Sequence, residues 1–198
     1  TKRRSSTEDE LTTTIIGQAL FVLILVMMFT FYLTLFRKDY FDKPRSITML
    51  YAMITLFPIF VSLIMKHNFF SVYIIPFAMA PIFVRVFMDS RTAFITHATM
   101  ILICAAAVKY QYEFIIVQLV SGLVAIYSLR ELSKRSQIFF TALLVAISTT
   151  VVYVALQLMQ DNQVFNIDRS MYTYSTINGI FLLLAYPLMY IIEKTFGF

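Results

Sequence analysis

The sequence predicts an all-α fold, a polytopic membrane protein built as a bundle of seven transmembrane helices. Three observations point there. Of 198 residues, 60% are apolar and only 14% charged, and the mean hydropathy of +0.78 exceeds what a water-soluble domain carries. The apolar residues fall in seven runs free of Lys, Arg, Asp and Glu. Those runs lack the two-residue alternation of a membrane barrel, so helices are the elements that satisfy the backbone in lipid.

The runs are Leu11–Phe36, Ser46–Met65, His67–Val84, Thr92–Val108, Phe114–Leu129, Ser136–Gln160 and Ser170–Ile192. A spanning helix needs about 20 mainly apolar residues. The first, second, sixth and seventh runs meet that length outright. The third, fourth and fifth are shorter and depend on charged ends reaching outward, with Arg85 extending the third and Glu113 opening the fifth. Pro76 and Pro81 both fall in the third run, which makes it the span expected to be irregular, whereas Pro58 and Pro187 each promise a kink. Ser121, Gly122 and Ala125 offer a small-residue face for close helix approach. Tyr110 and Tyr112 at one surface, and Tyr40, Phe41, Tyr127 and Tyr190 at the other, fit interfacial anchoring.

The distribution of basic residues predicts orientation. Alternate loops carry Arg37, Lys38, Lys43 and Arg45, then Arg85 and Arg91, then Arg130, Lys134 and Arg135, then Lys194, which makes ten. The opposing loops carry three: Lys66, Lys109 and Arg169. Lys2, Arg3 and Arg4 lie in the tail and have little say if a translocated domain precedes them. The expected topology therefore has Thr1 outside and Phe198 in the cytoplasm. Residues 1–11 read as a juxtamembrane tail after an extracellular domain, 12–192 as the seven-helix domain, and 193–198 as a linker to a cytoplasmic domain.

Polar groups within or beside the spans are the candidates for function. Arg85 and Asp89, four apart, are expected to share a helix face and pair, and Lys109 and Glu113 repeat that spacing. His97, Gln118, Gln157 and Asn178 form a sparse intramembrane set that either bridges helices or lines a pocket. Catalysis finds no support. His67 and His97 have no partner at metal-ligand spacing, and there is no phosphate loop, nucleophile elbow or Cys cluster. No catalytic, cofactor-binding or metal-ligating residue is assigned. Cys104 is alone, so no intramolecular disulfide forms. The basic excess lies in short loops rather than a stripe that could track phosphates, which excludes nucleic acid as a partner.

The seven-span layout, the segments FDKPRSITMLYAMITLFPIFVSLIMKHNFF and PFAMAPIFVRVFMDSRTAFITHATM, and the exit IIEKTFGF resemble the 7TM receptors with intracellular HD hydrolase, most of all their Bacteroidetes branch. The best local marks are the Pro-rich third span running into Asp89 and Arg91, and Glu193 with Phe196 at the exit. The resemblance implies a sensory, signal-transmitting domain in a bacterial inner membrane. It would control a cytoplasmic HD-type phosphodiesterase that hydrolyses cyclic di-AMP with divalent metal ions held outside this chain. Partners would be the lipid bilayer and the protein's own flanking domains, with a homodimer left open. Two other readings stay open. The chain could be a substrate-binding membrane subunit of a transporter, using Arg85, His97, Gln118, Gln157 and Asn178, or a passive membrane anchor.

Overall fold

The computed structural model describes residues 2–129, 137–161 and 168–198. Arg130, Lys134 and Arg135, counted above among the basic loops, lie outside the described residues. Among the described residues eight α-helices follow one another: α1 Lys2–Phe36, α2 Pro44–His67, α3 Met79–Phe87, α4 Ser90–Ala105, α5 Gln111–Ser128, α6 Gln137–Asp161, α7 Ser170–Leu182 and α8 Ala185–Phe196. Short 3₁₀ turns at Lys38–Asp42 and Val72–Ile74 precede α2 and α3. There are no strands among the described residues. The eight helices make seven spans, because α7 and α8 continue one another across Leu183 and Leu184. Five spans are long and apolar enough to cross a membrane unaided, and Val72–Phe87 and Ser90–Ala105 are shorter.

α1 is longer than its apolar run. Nothing in residues 2–16 breaks a helix, and Thr12, Thr13 and Thr14 each return a hydroxyl to the carbonyl four residues back at 2.8, 2.8 and 2.9 Å. The expected tail is therefore helical. At 35 residues, α1 is about 52 Å long against about 30 Å of hydrocarbon. α2 starts on Pro44, whose missing N–H costs nothing there, and stays unbroken through Pro58. Asn68, at φ 51°, turns the chain out of it.

The third span departs most from the expected helix over His67–Val84. Only α3, its second half, is α-helical. Ile75, which precedes Pro76, is extended, as the proline ring requires of its neighbour. Pro81 sits in the first turn of α3, where no N–H is needed. The carbonyls of Tyr73 and Ile75, left outside any helix ladder, both accept from Asn178 Nδ2 of α7, at 2.9 and 3.0 Å. Non-helical backbone survives at membrane depth only when protein groups satisfy it in this way. The seventh span breaks at Leu183 because Pro187 clashes with the carbonyl four residues earlier. Gly197, at φ +71°, ends α8.

α4 is the central strut, packed against α1, α2, α3 and α5. Met100, Ile101 and Cys104 are fully buried along it. Its 16 residues span only about 24 Å, but neighbouring helices rather than lipid surround it, so it need not match the bilayer. The outer helices present their large apolar side chains outward, among them Ile24 and Met28 of α1, Leu56 and Phe60 of α2, and Phe140 and Leu143 of α6. On a soluble protein such a belt would mark a binding surface; here it is the lipid contact.

Hydrophobic burial supplies no drive between helices in lipid, so close packing must. One close approach is where α4 meets α5. His97 is fully buried there, its Nε2–H donating to the carbonyl of Gln118 at 2.6 Å. Its ring occupies the space a side chain at Gly122 would need. Gly122→Ala should therefore cost about 1–3 kcal/mol by overpacking, seen as a lower Tm in detergent. Adding His97→Ala should remove most of that extra loss, since the two residues share one volume.

Candidate functional site

The bundle has two polar ends. At the first, which carries the dense basic loops, the chain between α1 and α2 folds over the start of α4. Arg37 organises it. Its Nη1 donates to Asp89 at 2.7 Å, its Nε and Nη2 donate to Asp39 at 3.2 and 3.1 Å, and its guanidinium lies 4.1 Å from the Tyr40 ring centre. Tyr40 in turn donates its hydroxyl to Asp89 at 2.5 Å. The other carboxylate oxygen of Asp89 caps α4 by accepting from the Thr92 N–H at 3.0 Å. Thr92 also meets the Tyr32 hydroxyl of α1 at 3.1 Å. One carboxylate thus joins the first loop to the helix at the centre of the bundle.

Electrostatics follow from these contacts. Burial pushes the Asp89 carboxyl up, but the bonds from Tyr40 and Thr92 and the charge of Arg37 outweigh it, so its pKa is held below the usual carboxylate value. Hydrogen bonding to Arg37 likewise lowers Asp39, and Asp39 raises Arg37. Burial, then the bond to Asp89, drives the Tyr40 phenol well above its ordinary value.

The exit of α8 lies at this same end. The Gly197 carbonyl accepts from Arg45 Nη1 at 2.7 Å, and the Phe198 ring stacks on Phe87 of α3 with centroids 5.0 Å apart. A cavity of about 650 Å³ opens between them, lined by Arg37, Lys43, Arg45, Phe87 and Phe198. Phe196 lies 6.4 Å from the Phe198 ring, and Glu193 is half-buried on α8.

The far end is built around Glu113, in the first turn of α5. Its two carboxylate oxygens accept from the Tyr73 hydroxyl at 2.6 Å and from Gln157 Nε2 at 3.3 Å.

Two expected ion pairs are corrected here. Asp89 is held by Arg37, not by Arg85, because α3 ends at Phe87 and Asp89 is extended, so the four-residue spacing never lies on one helix. Glu113 is held by Tyr73 and Gln157 rather than Lys109, because α5 starts only at Gln111; the Lys109 ammonium sits 5.3 Å from the Tyr110 ring centre. Tyr40 is a further correction: only 3% exposed, it is packed under Arg37 and is no lipid anchor. Arg91 lies over the Phe36 ring at 5.9 Å, and Arg85 is half-buried in the last turn of α3. Gln118 and His97 are buried between α4 and α5, Asn178 clamps the broken span, and Gln157 alone of the polar set lines a principal cavity. The five therefore form no common pocket. Arg37, Tyr73, Phe87 and Phe198 were not singled out. The basic loop held a signal for Arg37, whereas nothing in the spacing marked Tyr73.

Among the described residues no three His, Cys, Asp or Glu side chains gather to hold a metal ion. A family model for the 7TM receptor with intracellular HD hydrolase matches residues 12–198. The chain belongs to that family. Nothing among curated proteins or solved structures matches it. It is a multi-pass membrane protein, the transmembrane sensory region of an HD-containing receptor. In this 7TM receptor the cap and the ion pair at Asp89 are separable. Asp89→Asn keeps a capping oxygen but loses the charge, whereas Asp89→Ala loses both, so Asp89→Ala should be the more destabilising, by about 1–3 kcal/mol. Because the folded carboxyl is the stronger acid, its contribution is complete above the unfolded pKa and lost as pH falls through the lower folded value. Thermal unfolding of the wild type should show that acid loss, and Asp89→Asn should lack this component of it.

Proposed function

We propose that this chain is the input half of a bacterial inner-membrane receptor, with its basic end in the cytoplasm and its far end outside. A signal received outside or within the bundle shifts the helices, and α8 passes the shift through Glu193 and Phe196 to an HD phosphohydrolase that hydrolyses cyclic di-AMP. That hydrolase would supply its own metal ligands, and the reaction itself involves no residue of this bundle.

The observation that carries this reading is the docking of the α8 exit on the ends of α2 and α3 at the basic end. Phe198 rests on Phe87, and Gly197 on Arg45, so the segment leaving the membrane touches both the first turn of α2 and the third span. A passive anchor has no need of such contacts. The excess of Lys and Arg in the loops at this end supports the orientation. The transporter reading is weakened by the dispersal of its five polar residues.

Tests follow in the full-length receptor. Phe87→Ala and Arg45→Gln should change signal-dependent cyclic di-AMP hydrolysis at least threefold, while the lipid-facing Phe140→Ala should leave it alone. Unchanged hydrolysis in all three would reduce the bundle to an anchor. A reporter enzyme fused behind Phe198 should be active in the cytoplasm only.

A further inference from the structure

The far end holds a cavity of about 680 Å³, within the roughly 300–1,000 Å³ typical of small-molecule sites. Four tyrosines, Tyr73, Tyr110, Tyr153 and Tyr174, stand among its apolar lining. Tyr73 and Tyr153 meet edge to face with centroids 6.2 Å apart, which fixes both rings. Three charged groups line it, the carboxylates Glu113 and Asp168 and the ammonium of Lys109.

Glu113 decides what the cavity can take. It is half-buried, and among the described residues its hydrogen-bond partners, Tyr73 and Gln157, are both neutral. Among the described residues the two ion pairs lie at the opposite end and both use Arg37. Neutral donors hold the carboxylate in place without cancelling its charge, and its oxygens retain lone pairs for further donors. A half-buried carboxylate that faces a cavity and makes no salt bridge among the described residues favours a cationic occupant. The ring faces favour the same choice. Lys109 already rests its ammonium 5.3 Å from the Tyr110 ring centre, within the reach of a cation–π contact. An anion would find one lysine opposed by two carboxylates.

We propose that this cavity binds a small organic cation, an ammonium group on an apolar or aromatic body, with Glu113 as its counter-ion and the tyrosine rings among its lining. The site is also placed to act. Tyr73 gives its side chain to Glu113 and its backbone carbonyl to Asn178, so an ammonium that takes Glu113 disturbs the irregular stretch leading into α3. That consequence, unlike the binding itself, rests on the relay proposed above.

The test is calorimetric titration of the purified chain in maltoside micelles with phenethylammonium, and with phenylacetate as the anion of similar body. Phenethylammonium should bind saturably at one site and phenylacetate should not. Glu113→Gln should weaken binding about tenfold, the equivalent of 1.4 kcal/mol. Lys109→Gln, an exposed position that leaves folding intact, should tighten it about threefold by removing a like charge. If Glu113→Gln does not fold, Lys109→Gln carries the decision. No saturable binding of phenethylammonium up to about 10 mM, which is weaker than about 3 kcal/mol of affinity, overturns the proposal. Equal binding of phenylacetate, or weaker binding by Lys109→Gln, also overturns it. Hydrolysis is not read in this titration, so failure of the site and failure of the relay are told apart.

Discussion

Asn178 holds the carbonyls of Tyr73 and Ile75 with one amide nitrogen, and the rest of the bundle follows from that clamp. In hydrocarbon an unsatisfied backbone group costs several kcal/mol. Pro76 has no N–H to return to Tyr73, so the Tyr73 carbonyl needs a partner from elsewhere, whereas the Ile75 carbonyl also accepts from the Phe77 N–H at 2.9 Å. Supplied with one, the third span can be irregular in its first half and helical only over Met79–Phe87. That irregular half forms one wall of the far-end cavity, and the helical half runs inward to the exit of α8. Without the amide, the Tyr73 carbonyl would be left unpaired beside this wall of the cavity, at the cost of a buried polar group.

Most of this architecture was legible in the sequence, and what was not has a common cause. Charge-free runs marked the spans because lipid excludes charge, a constraint that needs no tertiary knowledge. The proline pair marked the broken third span for an equally local reason. The expected pairs Arg85–Asp89 and Lys109–Glu113 failed because a four-residue spacing means something only inside one helix, and both pairs straddle a boundary. Pro187 was visible, but its effect lies four residues upstream, at Leu183, which splits the seventh span in two. The site residues fared least well. Which cation reaches Asp89, and which hydroxyl reaches Glu113, depends on the folding of residues 52 and 40 positions apart in the chain, and no periodicity encodes that.

The two ends differ in how their carboxylates are compensated. At the basic end Asp89 has a guanidinium, a phenol and a backbone N–H, and the result is a fixed joint between the first loop and α4. At the far end Glu113 has neutral donors only, among the described residues. A fully compensated carboxylate resists exchange of its partners, whereas an incompletely compensated one can trade a neutral donor for a cation at gain. Rigidity is therefore placed where α1, α2 and α4 must stay together, and adaptability where a ligand could enter.

Between these ends the contact that can change is the exit of α8, and its strength suits that role. The stacking of Phe198 on Phe87 is worth about 0.5–1.5 kcal/mol, and the Arg45–Gly197 bond is exposed, so it adds little. Couplings between sites in regulated proteins are typically about 1–3 kcal/mol. A far stronger exit contact would lock α8 against α3 whatever happened at the other end, and none at all would leave the helix deaf to it. The break at Leu183 divides the seventh span, so that the Asn178 clamp lies on α7 and the exit contacts lie at the end of α8. The stiff element in the path is then α3, nine residues with no interior break, anchored at one end to the clamped segment and at the other to Phe198.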